Sequence, residues 1–180
     1  VERDAGIARD GFELVGRVAV RYGSDGASGR IAWRHSAAAD ELIITSPLGQ
    51  GVARVSRNIW RESSVGIIAT VGDPVGRSNS WMAGPDFTYQ TSHFRGSKNV
   101  RVGAWGLWMN RQGAASDRSA GGFRVEYPND LWNLSAHVMR IGEGFDPSLG
   151  FVPRGGIYNY RLAAQNRPQP ATGPIRAMEH

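Results

Sequence analysis

Apolar and polar residues alternate with a period of two through most of this chain, in short runs cut by glycine, proline and Asx turns. That pattern confines it to antiparallel β structure, because a period of two lays alternate side chains on opposite faces of a strand. Between Leu14 and Tyr22, Leu14, Val18, Val20 and Tyr22 share one face, against Arg17, Ala19 and Arg21 on the other. Ser24-Asp25-Gly26 supplies turn chemistry, and residues 29–35 follow with Ile31 and Trp33 opposed to Arg30 and Arg34. Residues 37–40 read as a loop. Strands are then expected at 42–45 and 51–57, joined by the apolar turn Ser46-Pro47-Leu48-Gly49. A leucine between proline and glycine at a turn is unusual, since turns are normally polar. It is either held out toward something apolar or folded back over the core.

The alternation continues through residues 64–71, 80–91 (interrupted at Gly84-Pro85), 100–111, 122–127, 131–141 and 157–164. In the 100–111 run both faces are apolar or small, with Trp105 and Trp108 on opposite sides. No segment carries helical periodicity with caps; the weak stretch 2–10 contains Gly6, which disfavours it. The expected fold is all-β, an antiparallel meander forming an open or small β-barrel with little helix. Its parts are an extension over 1–11, strands over 12–57, a second β region over 58–164 and an irregular Pro-rich tail over 165–180.

Composition narrows the chemistry. There is no cysteine among the 180 residues, which removes disulfides, thiolate nucleophiles and cysteine metal sites. The formal charge of +5 comes from 21 basic residues, all arginine except Lys98, spread along the strands rather than clustered. Dispersed charge of this kind belongs to solvated strand faces, and no nucleic-acid partner is expected. No apolar run reaches the ~18 residues of a spanning helix, so any membrane insertion would be by strands. Val1 reads as a processed or truncated start, and no leader is visible.

No nucleophile elbow, phosphate-binding loop or zinc-protease motif is present. His35, His93, His137 and His180 lack ligand-like spacing, so no metal site is expected. Asp73, Asp86, Asp130 and Asp146 read as turn residues rather than as paired acids for glycoside hydrolysis. Trp81, Trp105, Trp108 and Trp132 admit a sugar-stacking platform, an interfacial girdle or core packing, with packing expected for at least half. The chain is therefore expected not to be an enzyme and to need no cofactor.

Three strings carry a family resemblance: residues 12–20 (FELVGRVAV), 29–35 with Trp33, and 42–52 (LIITSPLGQGV). In these, residues 12–57 resemble the outer-membrane lipoprotein acceptor family LolB. The resemblance implies an open antiparallel barrel around a cavity for lipoprotein acyl chains, with a leucine in a protruding loop that helps insert the lipoprotein into the membrane. Leu48, between Pro47 and Gly49, is the matching position. The cavity side would then carry Leu14, Val18, Val20, Ile31, Trp33, Leu42 and Ile44. Residues 58–176 carry other strings, among them YPNDLW at 127–132 and GFDPSLGFVPR at 144–154. They resemble the outer-membrane-barrel-like region of a bacterial family of unknown function. The two resemblances together imply an envelope protein, in the outer membrane or periplasm, that binds or transfers lipid acyl chains or lipoproteins. The alternative is a fragment of an integral outer-membrane β-barrel, with a saccharide-related role. The join falls near residues 55–61.

Overall fold

The computed structural model describes residues 11–22, 25–46 and 50–168. Ten strands follow one another: β1 (Gly11–Tyr22), β2 (Asp25–Ser36), β3 (Ala39–Thr45), β4 (Gly51–Ile59), β5 (Ser63–Val71), β6 (Trp81–Phe94), β7 (Lys98–Asn110), β8 (Ser119–Pro128), β9 (Trp132–Ile141) and β10 (Ile157–Asn166). Each pairs antiparallel with the next in a single ten-stranded sheet, ordered as in the sequence. β1 and β10 are not paired with each other, so the sheet is an open meander, and no helix occurs among the described residues. β4 ends within the expected join at 55–61, at Ile59, and pairs with β5 along its full length.

Several expected boundaries move. Asp25 and Gly26 belong to β2, paired with Tyr22 and Arg21, and the residues between lie outside the described ones. The loop expected at 37–40 shrinks to 37–38, because the Ser36 hydroxyl both accepts from the Ala39 N–H and donates to the Ala39 carbonyl, closing a tight turn. Gln165 and Asn166 extend β10 against Asn133 and Trp132 rather than opening the tail. The stretch 2–10 and residues 169–180 lie outside the described residues.

Gly84-Pro85 does not end the strand but runs through it. Proline in a central strand is normally excluded because it cannot donate to the ladder. Here β6 keeps its register with β5, while the β7 ladder passes from Ala83–Trp108 to Asp86–Trp105. Gly84 lets the β7 backbone close in: a Cβ there would sit 1.8 Å from the Gly106 carbonyl oxygen.

The buried apolar core is small. Met82, Met109 and Ala120 lie at one end of the sheet, capped by Phe145 from the loop 142–156, with Leu107, Ile141 and Val152 packed around them. The loop is latched. Ser148 donates to the Asp73 carboxylate at 2.5 Å, Ser80 and Ser148 share a 2.5 Å bond, and Arg77 bonds the same carboxylate at 2.7 Å. Burial alone would raise the Asp73 carboxyl. The Ser148 hydroxyl, the Val75 N–H and the Arg77 guanidinium outweigh it and hold the group well below the usual carboxylate range.

A depressed native value fixes the sign of the pH dependence. The stabilisation is complete above the ordinary value near ~3.9 and is lost as the pH falls below it toward the depressed one. Amide protection within 142–156, corrected for intrinsic exchange, is expected to hold from pH 7 to pH 5 and to fall as the pH drops from 4 toward 2. Asp73→Asn should show the reduced protection already at neutral pH.

Candidate functional site

On β1–β3 the register decides which side chains meet. Leu14, Trp33 and Leu42 stand directly opposite one another across the three strands, and Ile31 stands opposite Ile44. Phe12 packs edge-to-face on Trp33, with ring centroids 4.8 Å apart, and stacks on His35 at 5.1 Å. The result is an apolar strip on one face, half-exposed and not enclosed. At one end it meets Asp40, which accepts from the Trp33 indole at 3.3 Å and bonds His35 at 2.6 Å. The hydrogen bond from His35 holds the Asp40 carboxyl below its ordinary value. Toward the other end β3 runs out through Thr45 and Ser46, whose N–H donates to the Gln50 carbonyl at 2.7 Å.

The expected cavity residues are thus brought onto one face of one sheet by their backbone register. The backbones of Val18 and Val20 pair with Gly29 and Ala27, and their side chains lie outside what is described. Pro47, Leu48 and Gly49 lie outside the described residues. The opposite face of the same strands is mixed: one row is the apolar Val15, Ala32 and Ile43, and the row beside it is charged. Glu13, Arg34 and Glu41 are in register, with Arg34 bridging both acids at 3.2 Å. Each such cross-strand pair adds a few tenths to about 1 kcal/mol.

From β4 onward individual rows change polarity. The row that begins Glu13, Arg34, Glu41 continues as Val55, Ile67 and Pro85. The row that begins Leu14, Trp33, Leu42 continues with Arg54, Ile68 and Gly84. In β5–β10 the face of Glu13, Arg34 and Glu41 carries the apolar row Val65, Phe87, Ala104, Phe123, Val138 and Tyr160, one residue from each strand. One residue along each strand, the other face carries Ser64, Thr88, Gly103, Arg124, His137 and Arg161.

That polar face is tied by charge pairs. Arg54 forms a bidentate pair with Asp86, its Nη2 lying 2.9 Å from Oδ1. Arg101 bonds Gln90 at 2.9 Å and meets Glu126 at 3.5 Å, and His137 lies 3.3 Å from Glu126. Asp86 is therefore not the turn residue its neighbours suggested; it sits mid-strand as the partner of Arg54.

Core packing is not the use of the tryptophans. Trp81, Trp105, Trp108 and Trp132 are all exposed, because no second layer covers them among the described residues. No group of three His, Asp or Glu side chains that could hold a metal ion occurs among the described residues. His35, His93 and His137 each stand beside a carboxylate instead.

Residues 10–64 match the family model of the outer membrane lipoprotein LolB. The match covers β1–β4, the strands that build the apolar strip, and ends at the start of β5. Curated relatives match over segments of similar length. The outer-membrane lipoprotein LolB of Thiobacillus denitrificans is 45% identical over 49 residues, covering 27% of this chain and 26% of that protein. That of Azoarcus sp. is 52% identical over 44 residues, 24% of this chain and 23% of its own length. That of Nitrosomonas europaea is 43% identical over 58 residues, 32% and 27%. The chain spans about a quarter of the length of the relatives it matches. No solved structure matches it. The change of row polarity begins at β4, the last strand lying wholly within the matched segment.

Proposed function

We propose that the protein is a non-enzymatic component of the bacterial outer membrane or its periplasmic side that binds lipid acyl chains and takes part in lipoprotein localisation. The acyl chain would lie along the strip formed by Leu14, Ile31, Trp33, Leu42 and Ile44. The turn Pro47-Leu48-Gly49 would deliver it to the bilayer. The observation that carries this reading is the in-register strip Leu14–Trp33–Leu42, backed by a charged ladder and lying within the segment similar to LolB. Transfer of a methylene from water to an apolar surface is worth ~0.8 kcal/mol. A strip a few side chains long can therefore hold an acyl chain with no polar anchor.

The test is binding of an acylated lipopeptide, read by the fluorescence of full chains retaining only Trp33 and by transfer to vesicles, with Leu48 native and as Leu48→Glu. Removing a leucine from an apolar contact costs about 1.5–3 kcal/mol. Transfer is thus expected to slow about tenfold or more in the variant while binding persists. Absence of binding in both proteins sinks the proposal; unimpaired transfer in Leu48→Glu removes only the role of the turn.

A further inference from the structure

We infer that the apolar face of β5–β10 contacts bilayer hydrocarbon, on the side of the sheet opposite to the β1–β3 strip. This inference rests on register and exposure and stands apart from the acyl-binding reading. The row Val65, Phe87, Ala104, Phe123, Val138 and Tyr160 is apolar on all six strands, and Phe123 and Tyr160 are 46% and 71% exposed. Beside it Tyr89, Val102, Val125, Ala136 and Leu162 form a second apolar row. Phe123, Ala136, Val138, Tyr160 and Leu162, together with His137 between them on β9, line a shallow groove of about 180 Å³.

The dimensions fit a bilayer. Six strands ~4.8 Å apart span ~24 Å across the sheet. Trp81 and Tyr89 mark two margins of the face on β6, about 27 Å apart at the rise of an antiparallel strand. That is the length of the 9–11 residues with which a strand crosses hydrocarbon. An area on the order of 650 Å² exceeds the largest apolar patch of an ordinary monomer. Aromatic residues with a polar tip, Trp81 and Trp108 toward one end and Tyr127 and Trp132 toward the other, suit the headgroup boundary. Lys98 opens β7 at a margin of this face, and the one charge within it, Arg140 in register with Gly121 and Gly106, is paired with Asp117 in the loop before β8.

The other face of the same strands has what a water-facing wall needs, charged groups that are paired. Arg101–Glu126 and His137–Glu126 lie there, as does Asp86 with its partner Arg54 on β4, while at one end the same face carries the Met82–Met109 core under the loop 142–156. A second copy of the chain would cover the apolar face equally well, but it would not call for aromatic rims at both ends.

Two adjacent-residue comparisons test the assignment. Trp108 and Trp105 lie on opposite faces of β7, so full chains retaining only one of them, the other tryptophans replaced by phenylalanine, report on each side. With phosphatidylcholine vesicles carrying brominated acyl chains, Trp108 emission is expected to be strongly quenched and Trp105 emission little changed. On β9 of the otherwise native chain, Val138→Arg puts a charge on the apolar face, and His137→Arg puts one beside Glu126. The first is expected to lower vesicle partition by about 30-fold or more, the cost of an arginine at the midplane of a lipid-facing strand. The second should leave it unchanged. Equal quenching of both tryptophans, equal effects of the two arginines, or a soluble dimer that shields Trp108 from bromine would each overturn the proposal.

Discussion

Gly84→Ala is expected to destabilise the protein by about 3 kcal/mol or more, at the upper end for overpacking a core site. A methyl group there would lie 1.8 Å from the Gly106 carbonyl oxygen and 2.9 Å from the Leu107 Cα. Both obstacles are backbone, so no rotamer change relieves the clash. Either β7 must move away from β6, or β6 must give up its register with β5, where Gly84 faces Ile68. The β6–β7 contact also holds Met82 against Met109 in the only cluster of buried apolar residues among those described, so the strain reaches the core directly. For a domain of this size the loss corresponds to a fall in Tm of about 6–12 °C. Gly16→Ala is the matched control. The nearest atom to a Cβ there is an Ile31 methyl at 4.0 Å, an ordinary contact, and alanine is better than glycine in a strand interior. Urea unfolding followed by tryptophan fluorescence would separate the two variants. Equal midpoints would mean that β6 and β7 do not approach closely at Gly84.

The strands and their faces were legible in the sequence because a period of two needs only local pattern. Every expected strand was found, and Trp105 and Trp108 do lie on opposite sides of β7. Boundaries ran short wherever the ladder recruits residues with turn chemistry, as at Asp25, Gly26 and Gln165. There the partner strand overrides local preference. What the pattern could not carry was relation between strands. Whether the apolar side of β3 continues into the apolar or the polar side of β4 depends on register across residues 46–50. That register gives the exchange of polarity from Leu42 to Arg54 and from Glu41 to Val55. The exposure of the four tryptophans was missed for a related reason: local pattern says which side is apolar, and only the tertiary arrangement says whether anything covers it. The apolar strip within the LolB-like segment was readable residue by residue. Its lack of enclosure was not, because a cavity needs walls from other strands.

The Arg54–Asp86 tie had no sequence signal at all, since its three participants lie on three strands. Arg54 on β4 reaches Asp86 on β6 across β5, and it can do so because Gly66 has no side chain. A Cβ at Gly66 would lie 2.6 Å and 2.8 Å from the two guanidinium nitrogens. Bonding to Asp86 raises the Arg54 pKa further, although partial burial opposes it, so the guanidinium keeps its charge. Each side chain keeps about a third of its surface exposed, which places the tie between a surface pair and a buried one. Asp86→Ala is therefore expected to cost about 1–2 kcal/mol, at the lower end for charge-assisted hydrogen bonds. Gly66→Val should cost a similar amount while removing neither charge, because it pushes the guanidinium off its partner. If both act through the same tie, the double variant will lose clearly less than the sum of the two. Strict additivity in the urea midpoints would show that the glycine serves the backbone alone. The tie joins the last strand of the LolB-like segment to the first long strand beyond it. Its loss should therefore raise hydrogen exchange in β4 and β6 together, while the β1–β2 hairpin, four strands from β6, keeps its protection.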